Sequence, residues 1–141
     1  MKKILFSSLI LTVVVALTGC FGSSSSSSSS DNGGSASVNV SGNWRLFASA
    51  PGEGEEVVGT MRLQQSGSSV QGELDYGDGD LNDVVAGSIS GDRFRGTVVE
   101  PGWDDWRVEF DVRVDGDRMQ GTAVEYWEGD AFSFNVRLVR L

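Results

Sequence analysis

The sequence predicts an all-β domain over residues 38–141, an eight-stranded antiparallel up-and-down β-barrel, preceded by a cleaved signal peptide and a disordered Ser/Gly tether. Three observations carry that expectation. From Val38 onward, apolar and polar residues alternate with period two, which gathers the apolar set on one face of each strand. Clusters of Gly, Asp and Ser cut the alternation into eight segments, and no segment after the N-terminal apolar run has helical periodicity.

In chain order, the first element is an address. Lys2 and Lys3 form a basic start, followed by Ile4 to Leu17, an apolar run diluted by Ser7, Ser8 and Thr12. This run is shorter than the ~20 residues a membrane-spanning helix needs. It has the length of a signal-peptide core, so residues 1–19 are read as a signal peptide. The one cysteine of the chain, Cys20, stands directly after it and is followed by a serine tract.

Leu17-Thr18-Gly19-Cys20 resembles the lipobox of bacterial lipoproteins. The resemblance implies that a lipid is joined to the Cys20 sulfur, that cleavage falls between Gly19 and Cys20, and that the new amino group is acylated too. Two or three acyl chains anchor durably where one holds only marginally. The same resemblance, with Phe21 rather than Asp after the cysteine, implies export to the outer membrane of a Gram-negative envelope. Residues 20–37 then form a linker. Its Gly/Ser composition offers nothing to bury, so it is expected to stay disordered, with a reach of roughly 20–25 Å.

The strands follow. SGNWRLFAS is the first; EVVGTMRLQQS and SVQGELDY pair across Gly67-Ser68; DVVAGSIS and DRFRGTVVE pair across Ser90-Gly91-Asp92; WRVEFDVRV and DRMQGTAVEYW turn at Asp115-Gly116; AFSFNVRLVRL is the last. Inward sets are Trp44/Leu46/Ala48, Met61/Leu63, Val70/Leu74, Val85/Ile89, Phe94/Val98, Val108/Phe110/Val112/Val114 and Phe132/Phe134/Val136/Leu138. Closure into a barrel removes the exposed edges that antiparallel sheets must otherwise protect, although a two-sheet sandwich would show the same alternation. Five strands share apolar-x-Gly-x-apolar, centred on Gly59, Gly72, Gly87, Gly96 and Gly121, expected where strands bend tightly as a small barrel closes. The large apolar inward residues favour a packed interior over a hollow one able to carry a small apolar ligand.

Gly42-Asn43-Trp44 resembles the G-x-W of the lipocalin and avidin superfamily, a calycin-type architecture. In that superfamily an arginine of the last strand packs across the tryptophan, a role the resemblance gives to Arg137 or Arg140. No ligand is implied, since no second lipocalin motif and no polar set suited to biotin is present.

Composition narrows the chemistry. The chain has no histidine, which removes Ser-His and Cys-His nucleophile pairs and imidazole metal sites. Beyond Lys2 and Lys3 it carries nine arginines against 20 acids, a net of −11, which repels nucleic acid and suits a basic or cationic envelope partner. No catalytic set emerges, so a non-enzymatic binding domain is expected; a carboxylate-pair hydrolase stays open because acids are abundant. In an up-and-down barrel, windows 50–56, 75–83, 100–106 and 125–131 fall at one end, read here as four long connections. They hold 13 of the 20 acids and neither Lys nor Arg. Candidate binding residues there are Tyr76, Glu100, Trp103, Asp104, Asp105, Trp106, Tyr126 and Trp127, because Trp and Tyr anchor interfaces. No cofactor is called for, with one alternative. Asp78, Asp80 and Asn82 have the spacing that opens an EF-hand loop, and Asp83 adds an oxygen ligand fit for Ca²⁺, but Asp83 stands where that loop needs Gly and Ile89 where it needs Glu.

Substitution Cys20→Ser is expected to abolish labelling with radioactive palmitate and to release the protein from envelope membranes. Retained label would place the attachment elsewhere.

Overall fold

The alternation resolves into β1 (Gly42–Ser49), β2 (Glu56–Ser66), β3 (Ser69–Asp75), β4 (Asp83–Ser90), β5 (Arg93–Val99), β6 (Trp106–Asp115), β7 (Arg118–Trp127) and β8 (Asp130–Arg140). The structure, a computed structural model, describes residues 38–77 and 83–141. Gly19, Cys20, the rest of the segment read as signal peptide and tether, and Asp78, Asp80 and Asn82 lie outside the described residues. Each strand pairs antiparallel with the next, and β1 pairs with β8 from Trp44↔Arg140 to Ser49↔Asn135, so the sheet closes into a barrel. That pairing decides for the barrel over the sandwich.

The interior follows from strand parity. The inward sets read from the sequence are buried except Val108 and Phe132, both at the open end, which are half-buried. Met119 and Ala123 of β7 join them. Trp44, Leu46, Met61, Phe94, Met119 and Leu138 are among the largest fully buried side chains, so the middle and lower barrel is filled by its own residues. Each such side chain contributes about 1.5–3 kcal/mol of burial.

Closure depends on how near the strands come to one another. A side chain at Gly72 would collide with the carbonyl oxygen of Arg62 on β2, and one at Gly121 with the carbonyl oxygen of Asp111 on β6. Both neighbours are backbone and cannot swing aside. At Gly96 the nearest obstacle is different: a Cβ would meet the buried Phe94 ring at 2.8 Å, a side chain that can shift about its own torsions where a carbonyl cannot.

The two ends are built differently. At one end, two-residue turns begin with Gly67, Gly91 and Gly116, whose φ values are 61°, 58° and 56°. Glycine at the first central position of a tight hairpin supplies the positive φ it needs. The last of these turns is centred on Gly116-Asp117, one residue beyond the expected position. The second turn residue then accepts a bond from the strand beyond: Ile89 N–H donates to Ser68 O (2.8 Å), Val114 N–H to Asp92 O (2.7 Å) and Arg140 N–H to Asp117 O (2.9 Å). Trp44 is buried here with its indole N–H donating to Val40 O at 2.8 Å. The Arg140 guanidinium lies 4.2 Å over the Trp44 ring, donates to Asn39 O and Ser41 O, and pairs with Asp117 at 2.9 Å. Of the two arginines the resemblance offered, Arg140 takes the role, an arrangement consistent with a calycin-like fold. Arg137 stacks on Phe47 instead, at 4.1 Å.

At the opposite end the connections are 50–55, 76–82, 100–105 and 128–129. The fourth expected long connection is thus a two-residue turn. Glu128 adopts φ 50° and Gly129 φ 92°, so β7 and β8 continue the ladder to Trp127↔Asp130 where the polar composition suggested a loop. Both chain ends of the barrel lie at the tight-turn end, where Leu141 N–H donates to Asn43 O at 2.9 Å.

Gly72→Ala is expected to cost about 1–3 kcal/mol in chemical denaturation, since inserted atoms meet rigid backbone. Gly96→Ala should cost distinctly less. Equal losses would refute strand proximity as the cause.

Candidate binding surface at the open end

Going up the barrel, the inward positions change from apolar to polar in the last layer before the open end. Continuing β3, β4, β6 and β7 with the same parity as Leu74, Val85, Phe110 and Ala123 leads to Tyr76, Asp83, Trp106 and Glu125. Asp83 is 3% exposed, Glu125 7% and Trp106 8%. A buried carboxylate needs donors, and the layer supplies them. The Tyr76 hydroxyl donates to Asp83 Oδ2 at 2.6 Å, and the Trp106 indole N–H donates to Glu125 Oε1 at 2.7 Å. Trp127, the register partner of Trp106, is half-buried.

Burial pushes the Tyr76 hydroxyl well above the usual tyrosine range. The hydrogen bond to Asp83 pushes the same way, as do the negative charges of Asp83, Glu125 and Glu100. Asp83 of β4, Glu125 of β7 and Glu100 of the connection 100–105 therefore act on one phenol, which places negative charge inside the open end as well as around it.

The sequence candidates separate into three groups. Tyr76, Asp83 and Trp106 form the interior layer, with Glu125, which was not singled out from the sequence although it shares parity with Met119 and Ala123. Trp103, Asp104 and Asp105 are exposed on the connection 100–105, with Glu100 half-buried at its base. Trp103 N–H donates to Glu100 O at 3.1 Å, folding this connection into a turn. Tyr126 points to the outer face, where the Arg107 guanidinium covers its ring at 4.0 Å and pairs with Glu109 at 2.9 Å. Trp106 is therefore a wall residue rather than a contact residue. Connection 50–55 is held separately: Arg137 donates to Glu55 with Nε at 2.9 Å, and the Arg137 guanidinium keeps the Glu55 carboxyl below its usual range.

Among the described residues, no group of three or more His, Cys, Asp or Glu side chains is placed to hold a metal ion. Of the four candidate calcium ligands only Asp83 is described, and its carboxylate faces the interior and Tyr76. A shallow concavity lined by Arg95, Thr97, Glu109, Asp111 and Thr122 lies on the outer face of β5 to β7, outside the barrel. Its charges are mutually satisfied: Asp111 accepts from Arg93 at 2.8 Å and from Arg95 at 3.2 Å.

No protein-family model matches the chain, and no curated protein matches it.

Tyr76→Phe removes one bond to a buried carboxylate and is expected to cost about 1–2 kcal/mol at neutral pH. A proton held more tightly in the folded than in the unfolded state confers stability that is complete below the tyrosine's unfolded pKa, about 10, and is lost as pH rises beyond it. Wild-type stability should therefore fall more steeply above about pH 10 than that of Tyr76→Phe, as followed by urea melts across pH. Parallel profiles would contradict the buried phenol.

Proposed function

We propose that this chain is a lipid-anchored, non-enzymatic binding domain of the bacterial cell envelope, held at the outer membrane of a Gram-negative cell through acylated Cys20, and that the open end of its barrel receives a basic or cationic partner. The observation that supports this most is the asymmetry of the barrel. Windows 50–56, 75–83, 100–106 and 125–131 carry acids and aromatics without one Lys or Arg, while Arg93, Arg113, Arg118 and Arg140 lie toward the tight turns. The N-terminal segment joins the barrel at the tight-turn end, so a lipid anchor on that segment leaves the acidic end facing away from the bilayer.

The carrier alternative draws less support, because Trp44, Met61, Val70, Val98 and Met119 have essentially no surface that a water-sized sphere reaches. A ligand between them would have to displace packed core. The reading calls for no cofactor. The calcium alternative rests on Asp78, Asp80, Asn82 and Asp83, the last of which is already engaged by Tyr76.

Isothermal titration of the full chain with oligolysine tests the electrostatic part. Binding is expected at low salt, several-fold weaker at physiological salt, and several-fold weaker again in Asp104→Asn/Asp105→Asn/Glu128→Gln, with none for oligoglutamate. Equal affinity for both peptides, or no effect of the triple substitution, would overturn it.

A further inference from the structure

The acids at the open end say what charge a partner carries; the outer face of β4 and β5 says where its apolar side chains go. Two dipeptides, Val84-Val85 and Val98-Val99, each place one valine inside and one outside. Val85 and Val98 are core, while Val84 is 45% exposed and Val99 39%. The ladder sets these outer valines directly opposite each other, and the row continues from Glu73 on β3, through Val84 and Val99, to Arg107 on β6 and Tyr126 on β7. Trp103, 46% exposed, sits on the connection that leaves β5 just beyond Val99. Isolated apolar residues on a surface are ordinary, but two opposed outer valines, with an exposed tryptophan on the connection that continues from one of them, mark a docking feature. The next outer row toward the tight turns is mostly polar, running Gln71, Ala86, Thr97, Glu109, Val124, Ser133, which confines the apolar patch to the open end.

We propose that Val84, Val99 and Trp103 form the apolar centre of a docking face for a polypeptide segment that combines Lys or Arg with apolar side chains. This rests on the reading of the open end as a site for a basic partner and adds the surface and the partner's composition. The rim fixes the sign. Glu73 flanks Val84 in the same row, and Asp104 and Asp105 are exposed on the connection beyond Val99. Of the row's two cations, Arg62 stands opposite Glu73 and pairs with Asp75 at 3.5 Å, and Arg107 lies over the Tyr126 ring and is paired with Glu109. A face with an apolar centre and charged rim has the anatomy of a protein interface. An acidic rim turns away nucleic acid and anionic lipid, and a second copy of this chain would bring the same acids against it. The closed barrel offers no free strand edge, so the segment docks through side chains and not by adding a strand.

Two synthetic peptides with the same number of lysines, oligolysine and a longer peptide whose lysines are interspersed with leucine, test the proposal on the full chain. The lysine–leucine peptide is expected to bind several-fold tighter, and in Val84→Thr/Val99→Thr and in Trp103→Ser that advantage is expected to vanish while oligolysine binding is kept. Near-isosteric outer substitutions should leave the melting transition in place, which circular dichroism checks. If the advantage survives both variants while Asp104→Asn/Asp105→Asn still weakens oligolysine, the docking face is refuted and the acidic-end reading stands. Equal binding of the two peptides by the native chain also refutes it. So does a dimer in sedimentation that Val84→Thr/Val99→Thr dissociates, because a second copy would then be the occupant.

Discussion

Everything in this fold depends on neighbouring backbones approaching more closely than any side chain permits at a few mid-strand positions. Gly72 and Gly121 each face a carbonyl oxygen of the adjacent strand where a Cβ would otherwise stand. With that proximity the sheet coils tightly enough for β1 to meet β8, and eight strands enclose little more than their own side chains. The filled interior is thus a consequence of closure rather than a separate choice. The accessible surfaces are then the two ends and the outer wall.

The ends divide the remaining work. At the tight-turn end, Gly at the turn, a carbonyl bonded to the next strand but one, and Arg140 lying over Trp44 combine into a rigid base. At the other end the inward layer exchanges apolar packing for two bonded pairs, Tyr76 with Asp83 and Trp106 with Glu125. Buried carboxylates contribute less to stability than leucine or valine would, but their directional bonds fix the walls from which the outer loops depart. The acids felt at Tyr76 are Asp83, Glu125 and Glu100, and the connection that Glu100 begins carries the exposed Asp104 and Asp105.

How much of this was legible in the sequence depends on which signal each residue sends. Period-two alternation located all eight strands, because inward and outward faces meet opposite solvents. The mid-strand glycines were readable as points where strands bend; that Gly72 and Gly121 face carbonyl oxygens of the adjacent strand came from the structure. Closure was expected from the need to protect strand edges rather than from alternation, which is local and fits a sandwich equally; the Trp44↔Arg140 pairing across almost the whole domain decides it. The β7–β8 turn was misplaced because Glu-Gly-Asp looks like a loop, whereas Glu128 tolerates a positive φ that permits a two-residue hairpin. Composition grouped Asp83 and Trp106 with loop candidates and passed over Glu125, although their parity with core residues marked all three as interior. Parity likewise separates Val84 from Val85 and Val99 from Val98, and hydrophobicity alone does not. The chemistry of Cys20 is carried by its motif, and no amount of strand reading bears on it.

The meeting of the barrel's first and last strands has a practical corollary. Because Leu141 donates to Asn43 and Arg140 reaches back to Asn39 and Ser41, a short linker would join the two and let new termini be opened elsewhere. Circular permutation tolerates such geometry, and a cut at the tip of connection 100–105 would hang a cargo domain beside Trp103, whereas a cargo fused after Leu141 would leave from the tight-turn end.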